Sequence, residues 1–107
     1  MSYTREDFLK DVSRFVDGEV LAKGAVVGVL EKACGDKTNR YIISKYLTGK
    51  SSSKDWTEAQ WFAMNELVKP FKPEGGKWQS ARTDLSQILT ELLRNALLEQ
   101  GQAELPF

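Results

Sequence analysis

Residues 46–61 read YLTGKSSSKDWTEAQW, and they spell out the end of one helix, a turn and the start of the next. Thr57 and Gln60 have the spacing of a capping box, in which a hydroxyl and an amide three residues apart satisfy each other's backbone N–H groups. Trp56, just before the cap, and Trp61, four residues into the helix, are placed to close as a hydrophobic staple. Upstream, Gly49 supplies the left-handed exit that ends many helices, and Lys50 to Lys54 form a serine-rich basic turn with no acid before Asp55.

Working outward, the rest of the chain reads as helices between short punctuated turns. Thr4 with Asp7 makes an N-cap, and Phe8, Val12 and Phe15 with Leu9 and Val16 fall on one helical stripe that Gly18 ends. From about Glu19 to Ala33 the pattern is apolar on more than one side, as expected of a core helix capped by Gly35. Val26, Val27, Gly28 and Val29 also suit a buried strand, but helix formers flank them and no partner strand is apparent. Gly24 and Gly28 have the spacing of a close helix contact and are read as tight core packing. A third helix runs from near Thr38 to before Gly49, with Tyr41, Ile42, Tyr46 and either Ile43 or Leu47 inward. The fourth, Glu58 to about Val68, buries Trp61, Met64 and Leu67 with Val68 or Phe62, and Pro70 stops it. Lys69 to Gly76 is the one long loop, and the last helix extends from about Ser80 to Gln100, closed by Gly101. The expected fold is all-α, a single-domain bundle of about five helices, with residues 1–101 as the helical domain and 102–107 as a C-terminal tail.

Composition limits the chemistry. The chain has 107 residues, 41% hydrophobic and 28% charged, the balance of one globular domain with a modest core. No apolar run approaches the roughly 20 residues of a membrane span, and the polar stretch Met1 to Lys10 lacks a signal-peptide core, so a cytoplasmic protein is expected. Cys34 is the only cysteine, which removes any internal disulfide and suits a reducing compartment. Histidine is absent, so the commonest general base is missing, and one cysteine does not make a structural zinc site. Paired carboxylates such as Glu6 with Asp7, or Asp55 with Glu58, sit at helix starts, where acids are favoured electrostatically. Gly75 and Gly76 before Lys77 lack the spacing of a phosphate loop and read as a turn. The expectation is a non-catalytic protein with no cofactor and no metal.

Charge is balanced overall but polarised along the chain. Between Lys37 and Lys54 there are five bases and no acid. Past Thr83, four acids (Asp84, Glu91, Glu99, Glu104) face Arg94 alone. Lys37, Arg40, Lys45, Lys50 and Lys54, interleaved with Tyr41, Tyr46 and Trp56 and joined by Lys77, are the candidate nucleic-acid contacts, because such a surface tracks phosphates and offers rings for stacking.

The string from Tyr46 to Gln60 resembles a short helical module of phage and plasmid DNA-recombination accessory proteins and of GemA-type regulatory proteins, over roughly residues 38–69. Trp56 stands where that module would have leucine. The resemblance implies a small phage-like or mobile-element accessory protein acting on DNA. The end of the chain, Ala103 to Phe107, is similar to the acidic Pro-Phe tip by which bacterial single-stranded DNA-binding proteins recruit partners, with Glu104 as its one acid.

A second reading stays open beside the nucleic-acid one: a protein-binding adaptor or inhibitor, such as a phage protein directed at a host or defence factor, which zero net charge favours. Its candidate contacts are Leu93, Leu97 and Leu98 in the last helix, with Pro106 and Phe107 in the tail. These leucines form a second apolar edge that a single core-facing stripe does not cover, leaving either a homodimer or the first helix to bury it.

Overall fold

The computed structural model describes residues 3–18, 22–72 and 74–99. Within them the protein is all-α apart from one very short hairpin: α1 (Arg5–Ser13), α2 (Lys23–Cys34), α3 (Lys37–Thr48), a 3₁₀ turn (Ser53–Asp55), α4 (Glu58–Val68), β1 (Pro70–Phe71), β2 (Gln79–Ser80) and α5 (Leu85–Glu99). Gln100 to Phe107, including the tail residues Pro106 and Phe107, lie outside the described residues.

Local chemistry sets most helix ends. Thr4 and Asp7 form a reciprocal capping box at α1, and Thr57 and Gln60 form another at α4. The Asp36 carboxylate caps α3 by accepting from the Asn39 N–H at 2.8 Å. Gly49 ends α3 in the left-handed region at φ 80°, where a side chain would strain the backbone. Lys69 does the same for α4 at φ 39° despite its side chain, because Pro70 behind it cannot continue a helix.

Packing then selects which apolar residues form the core. α4 is buried on most sides, with Trp61, Phe62, Ala63, Met64, Leu67 and Val68 all shielded, and it lies against α1 and α2. α5 packs on α3 and α2 through Leu85, Ile88, Leu89, Leu92 and Ala96. Phe8 brings α1 into the centre, joined by Val26, Leu30, Ile43 and Leu47.

Several expectations change. Helix α1 stops at Ser13, so Leu9 and Val16 face outward, at 52% and 64% exposure. Helix α2 starts at Lys23 instead of near Glu19, though the choice of helix over strand for Val26 to Val29 stands. Tyr41 points outward, while Tyr46 is half-buried with the Arg5 guanidinium 4.6 Å from its ring centre. The stretch read as a loop, Lys69 to Gly76, contains β1, which pairs antiparallel with β2 beyond it, Pro70 opposite Ser80 and Phe71 opposite Gln79. Gly75 and Gly76, at φ 96° and 83°, lie in the connection between these strands. Residues 80–84 consequently do not join α5. Ser80 Oγ lies 2.8 Å from the Val68 carbonyl and accepts from the Arg82 N–H, a local alternative to helix.

Gly24 and Gly28 are not a close contact either. Both are exposed, and a Cβ built on either meets no atom within 4 Å. Gly28 lies mid-helix with open space around it, so Gly28→Ala should stabilise the protein by about 0.5–1 kcal/mol through helix propensity alone. Urea unfolding with an unchanged m-value would register the gain, and a loss of stability would show hidden packing at this face.

Candidate nucleic-acid interface

The segment from α3 to α4 is built around a buried indole. Trp56 is 5% exposed, and its ring meets Trp61 edge-on with centroids 4.7 Å apart, the staple expected from the sequence. Its Nε1–H donates to Ser44 Oγ at 2.7 Å, and Ser44 Oγ–H donates in turn to the Lys50 carbonyl at 2.5 Å. The Lys50 N–H donates to Thr48 Oγ1 at 3.0 Å, so the residue after the Gly49 exit is held at both ends of its backbone. Gln60 completes the connection. Its Oε1 accepts from the Thr57 N–H at 2.9 Å and from Lys50 Nζ at 3.1 Å, and its Nε2 donates to the Thr48 carbonyl at 3.2 Å. One side chain thereby caps the start of α4 and satisfies a carbonyl left open at the end of α3.

This network redistributes the six candidate basic residues. Lys37 and Lys45 are exposed on α3 with Tyr41 between them, spaced four residues apart and thus on one outward stripe. Lys54 is exposed on the 3₁₀ turn, and Lys77 on the hairpin. Arg40 is different: at 8% exposure it belongs to the packing of α2 on α3, with Nε 3.1 Å from Glu31 Oε1 and its guanidinium 4.9 Å from the Tyr41 ring centre. Lys50 is half-buried and directed to Gln60. Arg40 and Lys50 therefore hold the frame, and Lys37, Lys45 and Lys54 remain as the surface cations of this segment.

The aromatic part of the expectation shifts too. Trp56 is a core ring, unavailable for stacking. Among the described residues the exposed rings are Tyr41 at 36%, Phe71 at 40% and Trp78 at 41%. Phe71 and Trp78 were not singled out by the sequence reading. The available signal is the run Lys77–Trp78 directly after Gly75–Gly76, a tryptophan outside any apolar periodicity.

Helix α3 carries no acid, and two acids beside it are engaged. Glu31 pairs with Arg40, and Glu99, which shares a small cleft with Lys45, pairs with Arg5 at 2.7 Å. Lys37, Lys45 and Lys54 take part in no ion pair among the described residues.

Other features offer less chemistry. A cleft of about 550 Å³, lined by Tyr3, Asp7, Lys10, Asp11, Arg14, Arg82 and Asp84, has most of its charges engaged with one another. There Arg14 pairs with Asp11, Arg82 pairs with Asp84, and burial with the Asp11 carboxylate pushes the Tyr3 phenol well above its usual range. Burial pushes the Cys34 thiol up to about 11, which leaves it protonated and unreactive at neutral pH. No group of three or more metal-ligating side chains occurs among the described residues. On α5, Leu93 is partly packed against the core and Leu97 is half-buried, so the expected second apolar edge reduces mainly to Leu98 at 47% exposure.

Removing the Ser44 hydroxyl would strand the Trp56 N–H in the core, so Ser44→Ala should cost about 1–3 kcal/mol. Thr57→Ala should cost about 1 kcal/mol and Thr57→Ser much less, because serine keeps the capping oxygen. Urea denaturation measures all three. A double-mutant cycle of Ser44→Ala with Trp56→Phe should show coupling above about 0.5 kcal/mol, and strict additivity would mean that the indole bond carries no energy. In comparisons with known proteins, no family model, no curated protein and no solved structure matches this chain.

Proposed function

We propose that the protein is a small non-catalytic nucleic-acid-binding accessory protein, of the kind found in phages and mobile elements, and that the outer face of α3 with the following turn contacts phosphate. The observation that carries this reading is the stripe Lys37, Tyr41, Lys45, exposed on a helix without acids, continued by Lys54 on a turn that the Trp56 network holds rigid. Lysine side chains on a fixed frame neutralise phosphates without each contact having to order the backbone first, which lowers the cost of binding. The resemblance of residues 38–69 to a helical module of DNA-transaction proteins supports the same reading.

The competing reading, a protein-binding adaptor or a homodimer, draws on Leu98 and on the zero net charge. With Leu93 and Leu97 already partly covered, Leu98 is the one exposed leucine of that face among the described residues, and we favour nucleic acid.

Binding to a labelled duplex should weaken steeply with salt. Lys37→Gln, Lys45→Gln and Lys54→Gln should each flatten the log–log slope by about 0.9 if one phosphate contact is lost. Arg40→Gln should instead lower the unfolding midpoint, because its guanidinium serves packing and Glu31. Absence of binding to any nucleic acid at low salt would transfer the function to a protein partner.

A further inference from the structure

The third tryptophan has a setting unlike the other two. Trp56 and Trp61 are 5% and 8% exposed and pack on each other. Trp78 is 41% exposed, and its ring enters none of the aromatic or cation–π pairs found among the described residues. It forms one wall of a cleft of about 420 Å³ between the hairpin, the C-terminal half of α2 and the first turn of α5. Val29 and Ala33 supply an apolar floor, and Lys32, Ser80 and Ser86 a polar rim. That volume lies within the range of small-ligand pockets, and the combination of one open ring, an apolar floor and polar groups at the edge suits a flat heteroaromatic ring.

The charges around the cleft identify what would carry such a ring. The segment 69–80 holds three lysines, Lys69, Lys72 and Lys77, against the single acid Glu74, and Lys32 adds a fourth base from α2. The described residues of this segment other than Pro70 and Ser80 are exposed. Asp84 lies on the other cleft, beside Tyr3, with its carboxylate held by Arg82 at 3.2 Å, a bond that lowers its pKa. An exposed indole therefore stands in a basic segment with Lys32 lining its cleft, the combination by which single strands are bound: phosphates on the lysines, a nucleobase on the ring. A duplex keeps its bases stacked and cannot use the ring. Lys32 precedes Lys37, the first residue of the α3 stripe, by five residues across the α2–α3 turn, with the α3 cap Asp36 between them.

We propose that the Trp78 cleft is a base-stacking subsite and that the ligand of this protein is a single-stranded nucleic acid, held by one base against Trp78 with phosphates on Lys32 and Lys77. This rests on the nucleic-acid reading of α3 and adds strand preference to it.

The test uses the full chain with fluorescein-labelled oligodeoxythymidine, oligouridine and a duplex of equal length at low salt, read by anisotropy and by tryptophan emission. Because Trp56 and Trp61 are buried, quenching on binding reports Trp78. Single strands should quench emission, and Trp78→Ala should weaken their binding by about 5- to 150-fold. Duplex binding should change less than about twofold, and Trp78→Phe should retain most of the single-strand affinity because it keeps a ring. Circular dichroism melting of both variants checks that the fold persists. Either DNA or RNA single strands behaving in this way supports the subsite. If single strands bind without quenching, or bind Trp78→Ala as well as the parent, or if the duplex alone binds, the subsite is overturned and the α3 interface stands. If no nucleic acid binds, both fall together.

Discussion

A buried tryptophan contributes a large apolar surface, but it carries an N–H that must find an acceptor once water is excluded. In this protein that requirement is met by Ser44, and the way it is met shapes everything around it. A hydroxyl that accepts from an indole still has its own proton to place, and Ser44 places it on the carbonyl of Lys50, beyond the end of its own helix. The staple that starts α4 and the glycine that ends α3 are thereby tied to one another through a serine that is 1% exposed. Hydrophobic burial against α1, α2 and α5 holds the two helices in the domain, and the polar chain fixes the turn between them, because losing it would leave a buried donor or acceptor without a partner.

The same economy decides which charges face solvent. Lys50 and Arg40 belong by sequence to the most basic stretch of the chain, yet each is drawn into the frame, one by the Gln60 amide and the other by Glu31 and the Tyr41 ring. A guanidinium at 8% exposure with a carboxylate beside it keeps its hydrogen bonds while its stem fills space between two helices, a role arginine's planar group suits. The surface cations that remain are fewer, but two of them, Lys37 and Lys45, stand on a helix whose ends are both capped, by Asp36 and by Gly49. A binding surface gains from this arrangement, since little ordering is left for the moment of contact.

The hairpin presents the opposite design. It has two-residue strands, two glycines in left-handed conformations and mostly exposed side chains, so few buried contacts hold it. Regions of that kind sit at the low-stability end of a protein and are where recognition is commonly placed. Its Phe71 and Trp78 are large rings left in water, which fits a surface that completes itself against a ligand better than it fits a core element.

How much of this was legible in advance depends on the range of the interaction concerned. The two capping boxes, the Trp56–Trp61 staple, the Gly35 and Gly49 exits and the bounds of α4 follow from neighbours three to five residues apart, and local geometry alone determines such features. The all-α class follows from periodicity of the same range. The outward turn of Tyr41, the inward turn of Arg40 and the open setting of Gly24 and Gly28 depended on which face of each helix its neighbours cover, a choice that helical spacing leaves degenerate. The pairing of Pro70 with Ser80 and of Phe71 with Gln79 was invisible because strands of two residues, one beginning with proline, have no pattern of their own, and the Ala81 N–H donates to the Lys69 carbonyl across a sequence separation that local spacing does not encode. The sequence by itself thus determined the capped ends, the starts of α1 and α4 and the ends of α2, α3 and α4, whereas the end of α1 and the starts of α2 and α5 were decided by the fold. Tertiary structure alone decided which charges and rings reach solvent, because burial is a property of the assembled surfaces and not of any one segment.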